Sequence, residues 1–401
     1  MRYLRICSLI MICISLFILS GCNNKLQNSQ LDTTTDIPSF KTQNEPEEND
    51  HHSVESNISM QLSSGAIVEA NVEINPDIDL DSLTTYNAEI IKLDYDLIKQ
   101  LLFSSKEIID EGSSEMADAR TDSLYHYCIA SDGFSLGYTG AGFSFNNNEN
   151  YPLMQRILNS DDVDLEQYIG LEDLNFATKQ NAQQEIKSII DQLGIEVASA
   201  PICYTLSFAS LQSICDQINY NRQIAVGDDL FLYTPLTCVE TDACYIFVYQ
   251  ITADGLPIST QPNGVFGDGS WTSGTSLTCF YSAQGIIGME IPYTFKVTDQ
   301  GSETKGLYPN QALERLDNKL NSMILSGNYQ VHKIVFDYAP MPINGSRNKF
   351  QLIPSWRLSL SHTYQYQDMK DPDAIYSSVE EFDVIFNAIT GEEIINNLGS
   401  A

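Results

Sequence analysis

Cys22 carries the most specific chemistry in the sequence. It closes Leu19-Ser20-Gly21-Cys22, which follows a basic start at Arg2 and Arg5 and an apolar run from Ile6 to Ile18. That run is shorter than the roughly 20 residues a bilayer-spanning helix needs. A processed export signal is therefore expected over residues 1–21. The small residues Ser20 and Gly21 suit a signal peptidase pocket. The Cys22 thiol is expected to carry a thioether-linked diacylglycerol, and two acyl chains give stable anchoring where one is marginal. The expected location is the outer face of a cell membrane, in a Gram-positive bacterium.

Six further thiols lie in the mature chain: Cys128, Cys203, Cys215, Cys238, Cys244 and Cys279. An exported chain with an even number of cysteines can form disulfides. Cys238 and Cys244 are the first pair to consider, being close in sequence. Buried free thiols are the equal alternative, since cysteine packs as a small hydrophobe.

Other constellations are weak. Asp77, Asp79 and Asp81 alternate like the start of a calcium loop but lack the turn glycine and the later bidentate Glu. They read as a solvated acidic segment. His51-His52 lie in an acidic stretch, and His126, His332 and His362 are isolated. With no C-x-x-C spacing, no zinc site is expected, and no cofactor. Gly267-Asp268-Gly269-Ser270-Trp271 makes no G-x-S-x-G elbow, and no S-x-x-K set, Walker loop or dinucleotide fingerprint occurs. Paired carboxylates are uninformative among 53 acidic residues. The chain is expected not to be an enzyme. The Gly- and Ser-rich stretch from Gly264 to Gly274 reads as a loop, and Trp271 within it makes it the first candidate for recognition. Trp356-Arg357 reads as a core Trp beside a solvated Arg, with a recognition pair at a sheet edge as the sharper alternative.

With 21 basic and 53 acidic residues the net charge is −32. Such a chain repels nucleic acid, whose phosphates need clustered Lys and Arg. Solubility accounts for most of the acidity, with cationic partners a second reason.

The elements that must position these residues follow from periodicity. Residues 22–59 form a polar, acidic tether that cannot bury enough surface to order itself, with an average reach of about 30–35 Å. A strand is expected over Ser64–Ile74 and a helix over Asp94–Ile109. A hairpin is expected around Ser131-Asp132-Gly133. The acidic passage Ser160–Asp173 suggests a boundary between subdomains at 60–175 and 176–401. A second helix runs from an N-cap at Thr178 to Gly194, with Ala182, Ile186, Ile189, Ile190 and Leu193 on its buried stripe. Strands then dominate, with turns at Asp254-Gly255 and Gln284-Gly285. A third helix starts near Pro309, with Ala312, Leu313, Leu316, Leu320 and Met323 on its apolar face. In the last strands Phe350, Leu352, Pro354, Trp356, Leu358 and Leu360 face one side, and Gln351, Ile353, Ser355, Arg357 and Ser359 a wetter one. Pro354 suggests an edge or a bulge. The expected class is α+β, with antiparallel sheets each covered by one or two helices.

The helix, the Ile334–Tyr338 strand, Leu352-Ile353-Pro354-Ser355-Trp356-Arg357 and Phe386-Asn387-Ala388-Ile389-Thr390-Gly391-Glu392 together resemble a pattern of Firmicutes cell-surface proteins. The region, about residues 308–396, is similar to PepSY-type domains and to YycH/YycI-type extracytoplasmic regulators of a sensor kinase. It also resembles clostridial lipoproteins of this length. Those regulators are usually held by a transmembrane helix, whereas here Cys22 supplies the anchor. The resemblance implies a binding or regulatory role outside the cell and no catalytic residues. The expected function is a non-catalytic, lipid-anchored module engaging a membrane or cell-wall protein. A small-molecule or glycan receptor is the alternative, and a wall-active hydrolase a third.

Overall fold

The computed structural model describes residues 54–394, apart from 119–120, 122, 161–162, 227–233, 261, 266–270, 324–326, 344–345 and 369–370. Cys22, the signal segment, His51-His52 and the tether to residue 53 therefore lie outside the described residues. The first strand begins at Asn57, slightly inside the expected tether.

The fold is α+β. One seven-stranded sheet comprises β1 (Asn57–Gln61), β2 (Ile67–Glu73), β3 (Tyr86–Ile90), β16 (Phe295–Gln300), β17 (Asn328–Pro342), β18 (Lys349–Asp368) and β19 (Asp371–Asn387). Its order is β1-β2-β17-β18-β3-β16, with β19 also pairing β18. All its pairings are antiparallel except β2 with β17. An eight-stranded antiparallel sheet comprises β4 (Ile108–Asp118), β5 (Ser123–Ala130), β6 (Phe134–Tyr138), β7 (Phe143–Asn147), β8 (Ile202–Leu206), β9 (Cys244–Gln250), β14 (Ser276–Ser282) and β15 (Gly285–Ile291). Its order is β4-β5-β6-β7-β15-β14-β9-β8. Two small ribbons pair β10 (Thr252–Ala253) with β11 (Leu256–Pro257), and β12 (Pro262–Val265) with β13 (Trp271–Ser273).

The expected boundary at residue 175 corresponds to neither sheet, because each sheet draws strands from both sides of it. The organisation is nested instead. β3 and β16 are neighbours, with Ile90 opposite Phe295, and the whole eight-stranded sheet is the excursion between them. At its base Ile91 N donates to Thr294 O (2.9 Å) and Leu93 N to Gly140 O (3.0 Å). Gly142 sits so close to the returning chain that a Cβ there would lie 2.0 Å from Ile291 O. One hydrophobic core runs through both sheets.

Five helices are described: α1 (Tyr95–Phe103), α2 (Tyr151–Leu158), α3 (Lys179–Gln192), α4 (Phe208–Val226) and α5 (Pro309–Asn321). α3 is the one expected: the Thr178 hydroxyl caps Asn181 N at 3.2 Å, Ala182, Ile186 and Ile190 are buried, and Gly194 adopts φ +67°. α5 begins at Pro309 and buries Ala312, Leu313, Leu316 and Leu320, while Met323 lies past its end and is exposed. α1 stops at Phe103, short of the expected Ile109. Ile108 and Ile109 instead open β4, as β-branched residues favour. α4 lies where strands were expected, with Leu211, Ile214, Cys215 and Ile218 forming a buried i, i+3, i+4, i+7 stripe. β9 is buried on both faces: the Tyr245–Tyr281 side meets α3 through Glu185, and the Cys244–Phe280 side meets α2 through Met154 and Tyr151. Two-sided cover explains its unbroken apolar run.

Pro354 sits in an inner strand, not at an edge. β3 pairs β18 as far as Leu352 and β19 takes over from Ser355, so the missing N–H of Pro354 falls at the seam between two neighbours. Its carbonyl accepts from Ala388 N (2.8 Å).

Candidate functional site

The residues that carry the family resemblance converge on a structural lock. Trp356 is fully buried, and its indole Nε1 donates to Leu307 O (2.7 Å). Leu307 N donates to Ala388 O (2.6 Å), and Ala388 N to Pro354 O. The Asn387 side chain accepts from Ile389 N (2.8 Å) and Thr390 N (3.1 Å), and Gly391 turns the chain at φ +72°. The L-x-P-x-W strand and the N-A-x-T-G-E turn thus fasten the start of α5 to β18 and β19.

Beside Trp356, Arg357 is neither solvated nor at a sheet edge. Its Nη2 lies 3.2 Å from Asp337 Oδ2, and its Nη1 lies 3.6 Å from Asp383 Oδ2. Ser355 Oγ donates to Asp337 Oδ1 (3.2 Å) and Ser359 Oγ to Asp383 Oδ1 (2.6 Å). The Ser259 hydroxyl lies near Asp337 outside hydrogen-bond geometry. Burial pushes the Asp337 carboxyl up, and Arg357 opposes that push without cancelling it. Burial also works against the Arg357 charge, and the two carboxylates more than offset it. The face expected to be wet is dry at its centre.

The remaining expected positions separate. Cys238 and Cys244 are not joined: Cys244 Sγ points at Met154 Sδ (3.5 Å), and Cys238 faces Cys215. All six described thiols are free. Trp271 opens β13 opposite Val265, so a short ribbon stands within the stretch read as a loop. Residues 266–270 lie outside the described residues. Asp79 caps a short turn by accepting from Asp81 N (3.0 Å), and Asp81 pairs with Lys305 at 3.1 Å. Among the described residues no three His, Cys, Asp or Glu side chains gather as a metal site.

A surface not anticipated from the sequence forms where the helix-covered face of the seven-stranded sheet reaches the start of β17. The alternation Trp356, Leu358, Leu360 continues into His362 and Tyr364. Tyr329 stacks on His362 with ring centroids 4.2 Å apart and 9° between planes, and Tyr364 lies 5.0 Å from the same imidazole. Phe382 meets Tyr329 edge-on at 6.4 Å and is 36% exposed. His362 Nδ1 lies 3.9 Å from a Glu380 carboxylate oxygen. Gly327 allows the approach: at φ +91°, a Cβ there would lie 2.3 Å from Thr363 O and 3.1 Å from His362 Nε2. β17 stays in phase through a bulge at His332, which keeps Val331 on the buried face with Ile334. Beyond Thr363, β18 and β19 pair only with each other among the described residues, and Val379, opposite Thr363 at the base of this arm, is 59% exposed. Stacked aromatic rings rimmed by carboxylates suit a cationic or apolar protein side chain.

No protein-family model matches the chain, and no curated protein does. The chain is similar in structure to an uncharacterised protein from Eubacterium rectale, solved by crystallography, with a TM-score of 0.64 and 14% identity. The match covers 84% of this chain and 93% of that one. At this identity the likeness shows a shared fold.

Proposed function

We propose that the chain is a lipid-anchored, extracytoplasmic binding protein without catalytic activity, which holds a protein partner at the cell surface through the aromatic end of β17–β19. The observation that carries this reading is the apolar sheet face that ends, at the start of β17, in Tyr329, His362, Tyr364 and the exposed Phe382. Monomer surfaces seldom leave aromatic clusters uncovered unless something docks on them. Leu19-Ser20-Gly21-Cys22 supports the location, since a diacylglycerol on Cys22 would place this surface near membrane and wall proteins. The acidity of the chain supports a partner with a basic contact surface.

The test is cross-linking in intact cells followed by capture of the full chain, run beside Phe382→Asp. A defined membrane or wall protein held by the wild type and reduced at least about tenfold in the variant supports the proposal. Recovery of no partner, or equal recovery with the variant, overturns it. A thermal shift of several degrees with a sugar, abolished by the same variant, would replace it with the glycan-receptor reading.

A further inference from the structure

The six described thiols are not equivalent. Cys128, Cys244 and Cys279 are buried within strands of the eight-stranded sheet. Cys203 lies on β8 and in register with Phe247 of β9. Cys215 and Cys238 alone lie side chain to side chain, each acting on the other's thiol.

The placement has a structural cause independent of the thiols. Cys215 and Asn219 sit four residues apart on α4, hence on one face of the helix. The Asn219 side chain holds the backbone of Leu236 from both sides: Nδ2 donates to Leu236 O (2.9 Å), and Leu236 N donates to Oδ1 (2.8 Å). Leu236 is thus pinned about one helical turn from Cys215 and two residues from Cys238. The far side of Cys238 is anchored as well, since Asp242 accepts from Val239 N (2.7 Å) and from Asn150 Nδ2 (2.6 Å).

We propose that Cys215 and Cys238 are a disulfide site, closed when the chain meets an external disulfide oxidant of the glutathione or dithiol-oxidase class. The inference does not depend on the reading of the aromatic surface. Cys238 is the more exposed thiol and reacts first. Its thiolate attacks the oxidant, one thiol departs, and a mixed disulfide remains on Cys238. The Cys215 sulfur then attacks Cys238 Sγ and expels the second thiol. One S–S bond forms in the protein, one is broken in the oxidant, and the two protons and two electrons of the protein thiols end on the two departing thiols.

Reactivity fits a structural bond rather than a rapid switch. Burial, then Cys238 itself, pushes the Cys215 thiol up to about 12. Few thiolates are present at neutral pH, so the bond forms slowly without a catalyst and, with so poor a leaving group, is reduced slowly.

The experiment takes the full chain, incubated with glutathione disulfide, then denatured, alkylated and mapped by mass spectrometry without reduction. The expected result is one cross-linked fragment joining Cys215 to Cys238, two hydrogens lighter than the separate peptides, with Cys128, Cys203, Cys244 and Cys279 alkylated. A thermal midpoint several degrees higher for the oxidised than for the reduced wild type should accompany it. Alkylation of both Cys215 and Cys238 after prolonged oxidation overturns the proposal, as does a bond from Cys238 to Cys244. The wild-type comparison needs no variant, and Cys215→Ser, if folded, should lose the oxidant-dependent shift.

Discussion

The guanidinium of Arg357 lies 3.2 Å from a carboxylate oxygen of Asp337, with the Arg357 side chain 9% exposed and that of Asp337 1%. A charge so placed depends on its partner more than the fold depends on the pair. Asp337→Ala leaves Arg357 with only Asp383 and should cost about 3–5 kcal/mol in urea unfolding. The double change Asp337→Leu with Arg357→Met should cost less than either single change, because it removes both desolvation penalties together. A double variant weaker than both singles would show that the pair itself stabilises the sheet.

Trp356 joins β18 to the start of α5. Trp356→Phe deletes the Nε1–H bond to Leu307 O and part of a buried ring system packed edge-on against Phe336. The expected loss is about 2–3 kcal/mol. Trp271→Phe leaves Trp356 as the sole indole, and its emission should be blue-shifted in the native state and move red on unfolding. Native emission at the wavelength of exposed tryptophan would contradict the buried placement.

Asp317 on α5 accepts from Ser63 N (3.2 Å), Ser63 Oγ (2.6 Å) and Ser64 N (2.8 Å), tying the helix to the β1–β2 turn. Burial acts to raise its carboxyl, but these donors prevail and hold it below the usual value of 3.8. A depressed carboxylate stabilises the fold above the unfolded value and stops doing so as pH falls through the folded one. Asp317→Asn should therefore cost a few tenths to about 1 kcal/mol at pH 7. The gap to wild type should narrow as pH falls below the unfolded carboxylate value of about 3.9. Denaturant titrations at pH 7 and pH 3 measure both ends, and a gap that widens in acid would reverse the assignment.

Gly142→Ala tests the junction between the two sheets. The added Cβ would meet backbone oxygens of Ile291 and Pro292 at 2.0 and 2.4 Å, atoms that no side-chain rotation can move aside. A loss of about 3 kcal/mol or more is expected. Gly194→Ala meets no atom within 4 Å and strains only its φ of +67°, so about 1 kcal/mol is expected there. Equal midpoints for the two variants would mean that the junction relaxes freely.

Local patterns were legible where one residue type answers one local need. Thr178 and Gly194 bracket α3, Pro309 opens α5, and the alternation from Phe350 to Leu360 reports the buried face of β18. α4 was missed because its stripe of Leu211, Ile214, Cys215 and Ile218 is narrow and set among Ser, Gln and Asn. Arg357 was misread because alternation tells which face a side chain takes, not whether partners such as Asp337 and Asp383 wait there. The nesting of one sheet within the other lay beyond periodicity, since the pairing of Ile90 with Phe295 leaves no mark on either segment alone. The aromatic surface was half visible: His362 and Tyr364 continue the period-two pattern of β18, but their meeting with Tyr329 needs the register of β17.

The nested layout bears on the order in which the chain can be assembled as it is made. β2 finds its parallel partner β17 only after the whole intervening sheet has been synthesised. Until the last strands emerge, β1 and β2 can close only a hairpin, and β3 can pair only with β16. The eight-stranded sheet is complete in sequence by Ile291 and can close first. A ribosome-stalled or nicked chain ending before Asn328 would thus retain one finished sheet and a sticky, unpaired N-terminal edge. The terminus expected to bear the lipid is in this way joined to the part of the molecule that matures last.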